Sequence, residues 1–201
     1  VKTYMKAWYP QGTLSSGTVT FTTNDSYKGD GTDDVLLAGE VSGSKSDREN
    51  KVLAFEHLTT QLKFVVKAGT GLAAGTKLTK IELKNVDVPN GINLATNALL
   101  PSSKNALSVP DIDGNLVIGT TETGDPAGSP LMIVPPTGKT VTLKVTTSAA
   151  EFDNIVATID NDDKFQAGKA YTITLTFDQK NIELSATLAE WSDGEGTGLV
   201  E

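Results

Sequence analysis

His57 is the only histidine of the chain, and there is no cysteine. A metal here would need His57 and carboxylates alone, with no thiolate to share the charge. A histidine dyad is excluded within one chain, and no Gly-x-Ser-x-Gly turn presents a serine nucleophile. His57 opens an alternating run, which points to a packed or hydrogen-bonded sheet histidine. Three acidic clusters offer oxygen ligands: Asp25 to Asp34, Asp111 to Asn115 and Asp160 to Asp163. An EF-hand loop spreads its oxygens over about twelve residues and closes on a Glu, and none of the three keeps that spacing. Turn formation by Asp, Asn and Gly is the expectation for all of them, with Asp25–Asp34 the best exception as a weak ion site. Glycoside hydrolysis needs two facing carboxylates, and nothing singles out such a pair among the 25 acidic residues. No catalytic, cofactor-binding or metal-ligating residue is assigned, and the chain reads as a non-enzyme.

Binding by aromatic side chains is the other chemistry on offer. Trp8 and Tyr9 stand just before Pro10 in the first expected strand, and Trp191 ends the last. Core or domain-interface packing is the expected fate of both tryptophans. The net charge is −8, and Arg48 is the only arginine. That argues against nucleic acid or an anionic membrane as partner, since both call for a cationic surface. With 38% apolar and 21% charged residues the chain is an ordinary globular one. No apolar run approaches the ~18 residues of a membrane helix, so no transmembrane segment is expected.

The elements that would carry these residues are strands. Threonine, valine, glycine and leucine alternate in runs cut by Gly, Asn, Asp and Pro. Near the C-terminus, Tyr171, Ile173, Leu175 and Phe177 alternate with threonines. After a turn through Asp178–Asn181, Ile182, Leu184, Ala186 and Leu188 alternate with polar residues. A period of two sends one set to the core and the other to solvent, so this segment is a hairpin. Further strands are expected around Leu62–Val66, Ile81–Leu83 and Val141–Val145, with shorter ones at 17–23, 33–38, 92–98, 115–120, 130–134 and 154–159. The prolines Pro135 and Pro136 close the 130–134 run. No stretch keeps helical spacing. The expected class is all-β, a β-sandwich architecture. Residues 39–50 (GEVSGSKSDREN) are polar and rich in Gly and Ser, and read as a linker or long loop. The expected domains are 1–46, an incomplete N-terminal sandwich, and 47–201, a C-terminal sandwich.

Two segments carry a resemblance: VLAFEHLTTQLKFVVKAG at 52–69 and FQAGKAYTITLTFDQKNIELSATLAEWSDGEG at 165–196. In order and spacing they resemble the fimbrillin family of Bacteroidetes, the major, tip and accessory subunits of type V pili. The resemblance covers roughly residues 50 to 201. It implies two β-sandwich domains of transthyretin-like topology, the Phe-x-His step opening the second. It also implies a lipoprotein precursor trimmed by a protease, export to the outer membrane surface, and a place in a fimbria. The abrupt start at Val1 and the missing cysteine fit a chain without the lipidated region. The implied partners are other pilus subunits, joined through donated β-strands that fill an open groove, and host or bacterial surface ligands; no cofactor is implied. Ser192–Glu201 is rich in Gly, Asp and Glu with only Leu199 and Val200 apolar, a poor donor strand, which favours a tip or accessory subunit. The alternative is a glycan-binding cell-surface lipoprotein on a similar sandwich. It expects exposed Trp and Tyr in a shallow groove, where a pilus subunit expects them buried and a groove open at one edge.

Overall fold

The computed structural model describes residues 1–47, 51–160, 164–178 and 182–190. These residues form strands joined by turns and contain no helix. The strands are β1 (Lys2–Tyr9), β2 (Gly12–Ser15), β3 (Thr18–Phe21), β4 (Leu36–Ser44), β5 (Phe55–His57), β6 (Thr60–Ala68) and β7 (Leu78–Asn93), followed by β8 (Ala98–Ser108), β9 (Leu131–Ile133), β10 (Thr140–Thr147), β11 (Glu151–Thr158), β12 (Lys169–Phe177) and β13 (Ile182–Glu190). The chain is therefore all-β, as its alternation requires.

Three sheets result. One runs β1-β4-β5, one runs β13-β12-β6-β9, and the largest runs β11-β10-β7-β3-β2 with β8 on the other edge of β7. The β12–β13 hairpin has the expected phase: Tyr171, Ile173, Leu175 and Phe177 are each at most 1% exposed. They join Leu62, Phe64, Val66, Ile81, Leu83, Leu143 and Val145 in the main core. Phe177 meets Phe152 edge-on at 6.2 Å, and Tyr171 meets Phe165 at 4.9 Å. Burying each such side chain contributes about 1.5–3 kcal/mol. Thr174 is the exception on the solvent face: it is buried because its hydroxyl donates to Glu122 Oε1 (2.9 Å), under the segment that follows Gly119.

A second, smaller core gathers Val19, Phe21, Tyr27, Val35, Leu37 and Ile92, with Trp8, Leu58, Leu94 and Leu99 packed around it. The long strand β7 serves both. One edge pairs with β8, from Glu82↔Ser108 to Asn93↔Ala98. The opposite edge pairs first with β10, from Leu78↔Thr147 to Lys84↔Thr142, and then with β3 at Gly91–Asn93. Between these two partners lies a gap, crossed by the amide of Val134 donating to Asp87 O (2.9 Å) and by the Tyr27 hydroxyl donating to Pro89 O. Within the strand the buried side chains change from odd positions, Ile81 and Leu83, to even ones, Val86, Val88 and Ile92. Asn85, with φ +51°, stands at the change. One left-handed residue thus keeps a strand on its core while it changes neighbours.

The sequence expectations need four corrections. Residues 39–44, expected in a linker, belong to β4 and pair with β1: Lys2↔Ser44 through Met5↔Val41. A main-chain ladder needs only N–H and C=O groups, so small polar side chains do not prevent it. The register shift between Met5 and Ala7 absorbs the extra residue. Arg48, in the expected linker, lies outside the described residues. The 92–98 run is the end of β7, a turn, and the first residue of β8; Asn93 Oδ1 accepts the amides of Ala95 (3.0 Å) and Thr96 (3.2 Å) to make that turn. Residues 115–120 form no strand, only a bridge between Val117 and Lys77. Strand β8 was not expected because Pro101 and a serine run blur its alternation. Pro101 sits opposite Pro89, beside a register shift, where the ladder is already interrupted.

Candidate assembly surface

The residues that promised chemistry are occupied structurally. His57 Nδ1 donates to Asp34 Oδ2 (2.6 Å), while Asp34 Oδ1 accepts the Thr59 hydroxyl (2.6 Å) and the Val35 amide (2.8 Å). This polar node ties the start of β4 to β5 and to the residue that leads into β6. Asp33 Oδ2 accepts the amides of Lys28 (2.8 Å) and Gly29 (2.7 Å), and Asp30 Oδ1 accepts the amide of Thr32 (3.0 Å). Carboxylates engaged in this way shape a turn. In the second cluster, Asp113 Oδ1 accepts the Asn115 amide (2.9 Å) and Asp111 Oδ2 the Ser129 hydroxyl (2.6 Å). Of the third, Asp160 is exposed and 161–163 lie outside the described residues. Among the described residues no three His, Cys, Asp or Glu side chains converge as a metal site. Tyr27, beneath the first acidic loop, has its phenol pKa raised by burial and then by Asp33 and Asp30.

What remains open is backbone. β1 is the edge of its sheet and β2 the edge of the largest one, and only Pro10 and Gln11 separate them. Two edges that are unpaired among the described residues therefore meet at one corner of the smaller core. Tyr4, Met5, Tyr9 and Leu14 lie on these two strands and are 61%, 49%, 48% and 54% exposed, a concentration of uncovered apolar side chains. Sequence reasoning had no access to this corner, because an edge is defined by which strands are absent from either side.

The sheet β1-β4-β5 is apolar on both faces. Trp8 and Leu37 pair across one face and pack into the smaller core. On the other face the register sets Tyr9 beside Leu36, Ala7 beside Ala38 and Phe55, and Met5 beside Val41. The signal in the sequence is the unbroken apolar run Val35–Ala38, the pattern of a strand covered on both sides. The aromatics divide between the two expectations: Tyr27 and Tyr171 are buried and Trp8 half-buried, whereas Tyr4 and Tyr9 are exposed. Trp191 lies outside the described residues. No described helix is long and apolar enough to cross a membrane.

The family model described as fimbrillin-like matches residues 2–191. Among solved structures, a protein described as a cell-adhesion protein from Bacteroides uniformis superposes with a TM-score of 0.60 at 19% identity, over 94% of this chain and 72% of that one. Another so described, from Bacteroides ovatus, gives 0.62 at 17% identity, over 96% of this chain and 69% of that one. A third, from Bacteroides fragilis, gives 0.52 at 12% identity over 96% and 66%. At these identities the likeness establishes the fold. No curated protein matches the chain.

Proposed function

Because the chain belongs to the fimbrillin-like family, a family of fimbrial structural and adhesion proteins and not of enzymes, we propose that it is a structural or adhesive subunit of a bacterial type V pilus, assembling by β-strand exchange. The observation that carries this reading is the corner where, among the described residues, the open edges of β1 and β2 meet beside the uncovered Met5 and Leu14. An extended segment from a neighbouring subunit laid along it gains main-chain hydrogen bonds from the edge and buries alternate side chains. Left unfilled, the same edge invites irregular aggregation.

In this reading residues 1–46 belong to an N-terminal sandwich of transthyretin-like topology and 47–201 to the C-terminal one, the β7–β8 hairpin reaching from the second into the first. A lipoprotein precursor, display at the outer membrane surface and a tip or accessory position belong to the same proposal. The test is immunogold electron microscopy of cells that express the protein. Label on fibres supports the proposal, and label at fibre ends supports the tip. Label spread on the envelope with no fibre refutes it and leaves the glycan-binding surface lipoprotein, which the exposed Tyr4 and Tyr9 favour.

A further inference from the structure

The gap in β7 between its two partners opens onto a cleft of about 490 Å³, where the strand leaves β10 and the Val134–Thr137 segment crosses it. That volume lies within the range of about 300–1,000 Å³ usual for small-ligand sites. One wall is aliphatic, formed by Leu99, Pro135 and Pro136. Asn85, Thr140 and Thr142 also line the cleft, and none of their side chains is hydrogen-bonded among the described residues. Each carries both donor and acceptor capacity. The charged neighbours are already engaged: Lys84 Nζ donates to Asp153 Oδ1 and Asn154 Oδ1 (both 2.9 Å), and Asp87 Oδ1 accepts the Ser103 hydroxyl (2.6 Å). Asn85 presents its amide from a left-handed backbone in the middle of a strand, a conformation that clusters at functional sites.

We infer that this cleft binds a neutral sugar residue, with Asn85, Thr140 and Thr142 meeting hydroxyl or acetamido groups and the proline wall meeting the C–H face of the ring. Three features select this chemistry. Lys84 is committed to Asp153, so an anionic ligand finds no free cation here, and the Asp87 carboxylate can accept only from donors such as hydroxyls. Hydroxyls that both donate and accept match Asn and Thr better than a one-way donor set would. An extended peptide adding to the sheet here would need the Asp87 carbonyl, which the Val134 amide already occupies. None of the cleft's lining residues belongs to β1 or β2, and the site functions whether or not the chain enters a fibre, so its test is independent of the assembly proposal.

The experiment is titration of the 15N-labelled protein with N-acetylglucosamine, N-acetylgalactosamine and galactose, each up to about 20 mM so that millimolar binding is detected. Saturable shifts at Asn85–Asp87 and at 134–142 with at least one sugar are expected. Asn85→Gly keeps the positive φ while removing the amide, and Thr142→Val removes a hydroxyl at constant shape. Both variants are expected to keep the thermal midpoint of the parent and to weaken binding at least tenfold. Shifts that do not saturate, that cluster elsewhere, or that persist unweakened in both folded variants overturn the inference.

Discussion

A single carboxylate can hold three neighbours, and Asp34 does so for the Val35 amide, the Thr59 hydroxyl and His57. Removing the acceptor strands all three donors, whereas removing the imidazole leaves two of the bonds intact. Asp34→Ala is therefore expected to cost about 1–3 kcal/mol in urea unfolding, and His57→Gln less. An equal or larger loss for His57→Gln would move the weight of the node onto the histidine. Tyr27 makes a prediction with a sign in pH. Its raised phenol pKa means that the unfolded chain ionises near pH 10, where the folded one still holds its proton. The stability it contributes is complete below about pH 10 and is lost as pH rises through the folded value. Tyr27→Phe is expected to cost about 1–2 kcal/mol at neutral pH, since the Pro89 carbonyl loses its donor. The same variant should flatten the alkaline limb of the stability curve, and an unchanged limb would assign that limb to other groups. At this scale the sequence was readable in part: a lone histidine and clustered aspartates announced polar nodes and turns, while the pairing of Asp34 with His57 had to await the strand order.

At the scale of elements, legibility followed the regularity of the alternation. The β12–β13 hairpin was read in its true phase because nothing interrupts its period of two between Tyr171 and Phe177. Phe64→Ala or Phe177→Ala removes a side chain at most 1% exposed and is expected to cost about 3–5 kcal/mol; near-parental thermal stability would contradict the packing. β7 was read only in pieces, because the left-handed Asn85 shifts its buried positions from odd to even. β4 was half hidden, because its far end pairs mainly through backbone and Val41 is the one large apolar side chain there. The join of β7 to β3 depends on a missing side chain: a Cβ on Gly91 would stand 2.2 Å from the Val19 carbonyl oxygen. Gly91→Ala is thus expected to push the two strands apart at a cost of about 1–3 kcal/mol. Faster hydrogen exchange should appear in β3 before β12, and uniform exchange across both would mean that the two cores open as one unit.

In the whole molecule the main core is closed, while the smaller core ends at two edges that are unpaired among the described residues. The family resemblance lay in local motifs, the Phe-x-His step at Phe55–His57 and the final hairpin, so membership was within reach of the sequence. The open corner was not, since it depends on strands about 30 residues apart in the chain coming together through β1–β4 pairing. Assembly through this edge is tested by hydrogen exchange by mass spectrometry on β1, compared between the free chain and fibres isolated from expressing cells. Amides of β1 not bonded to β4 are expected to exchange rapidly in the free chain and to become protected in the fibre, as an inserted strand pairs with them. Fibres that contain the chain and leave β1 exchange unchanged would contradict assembly through this edge.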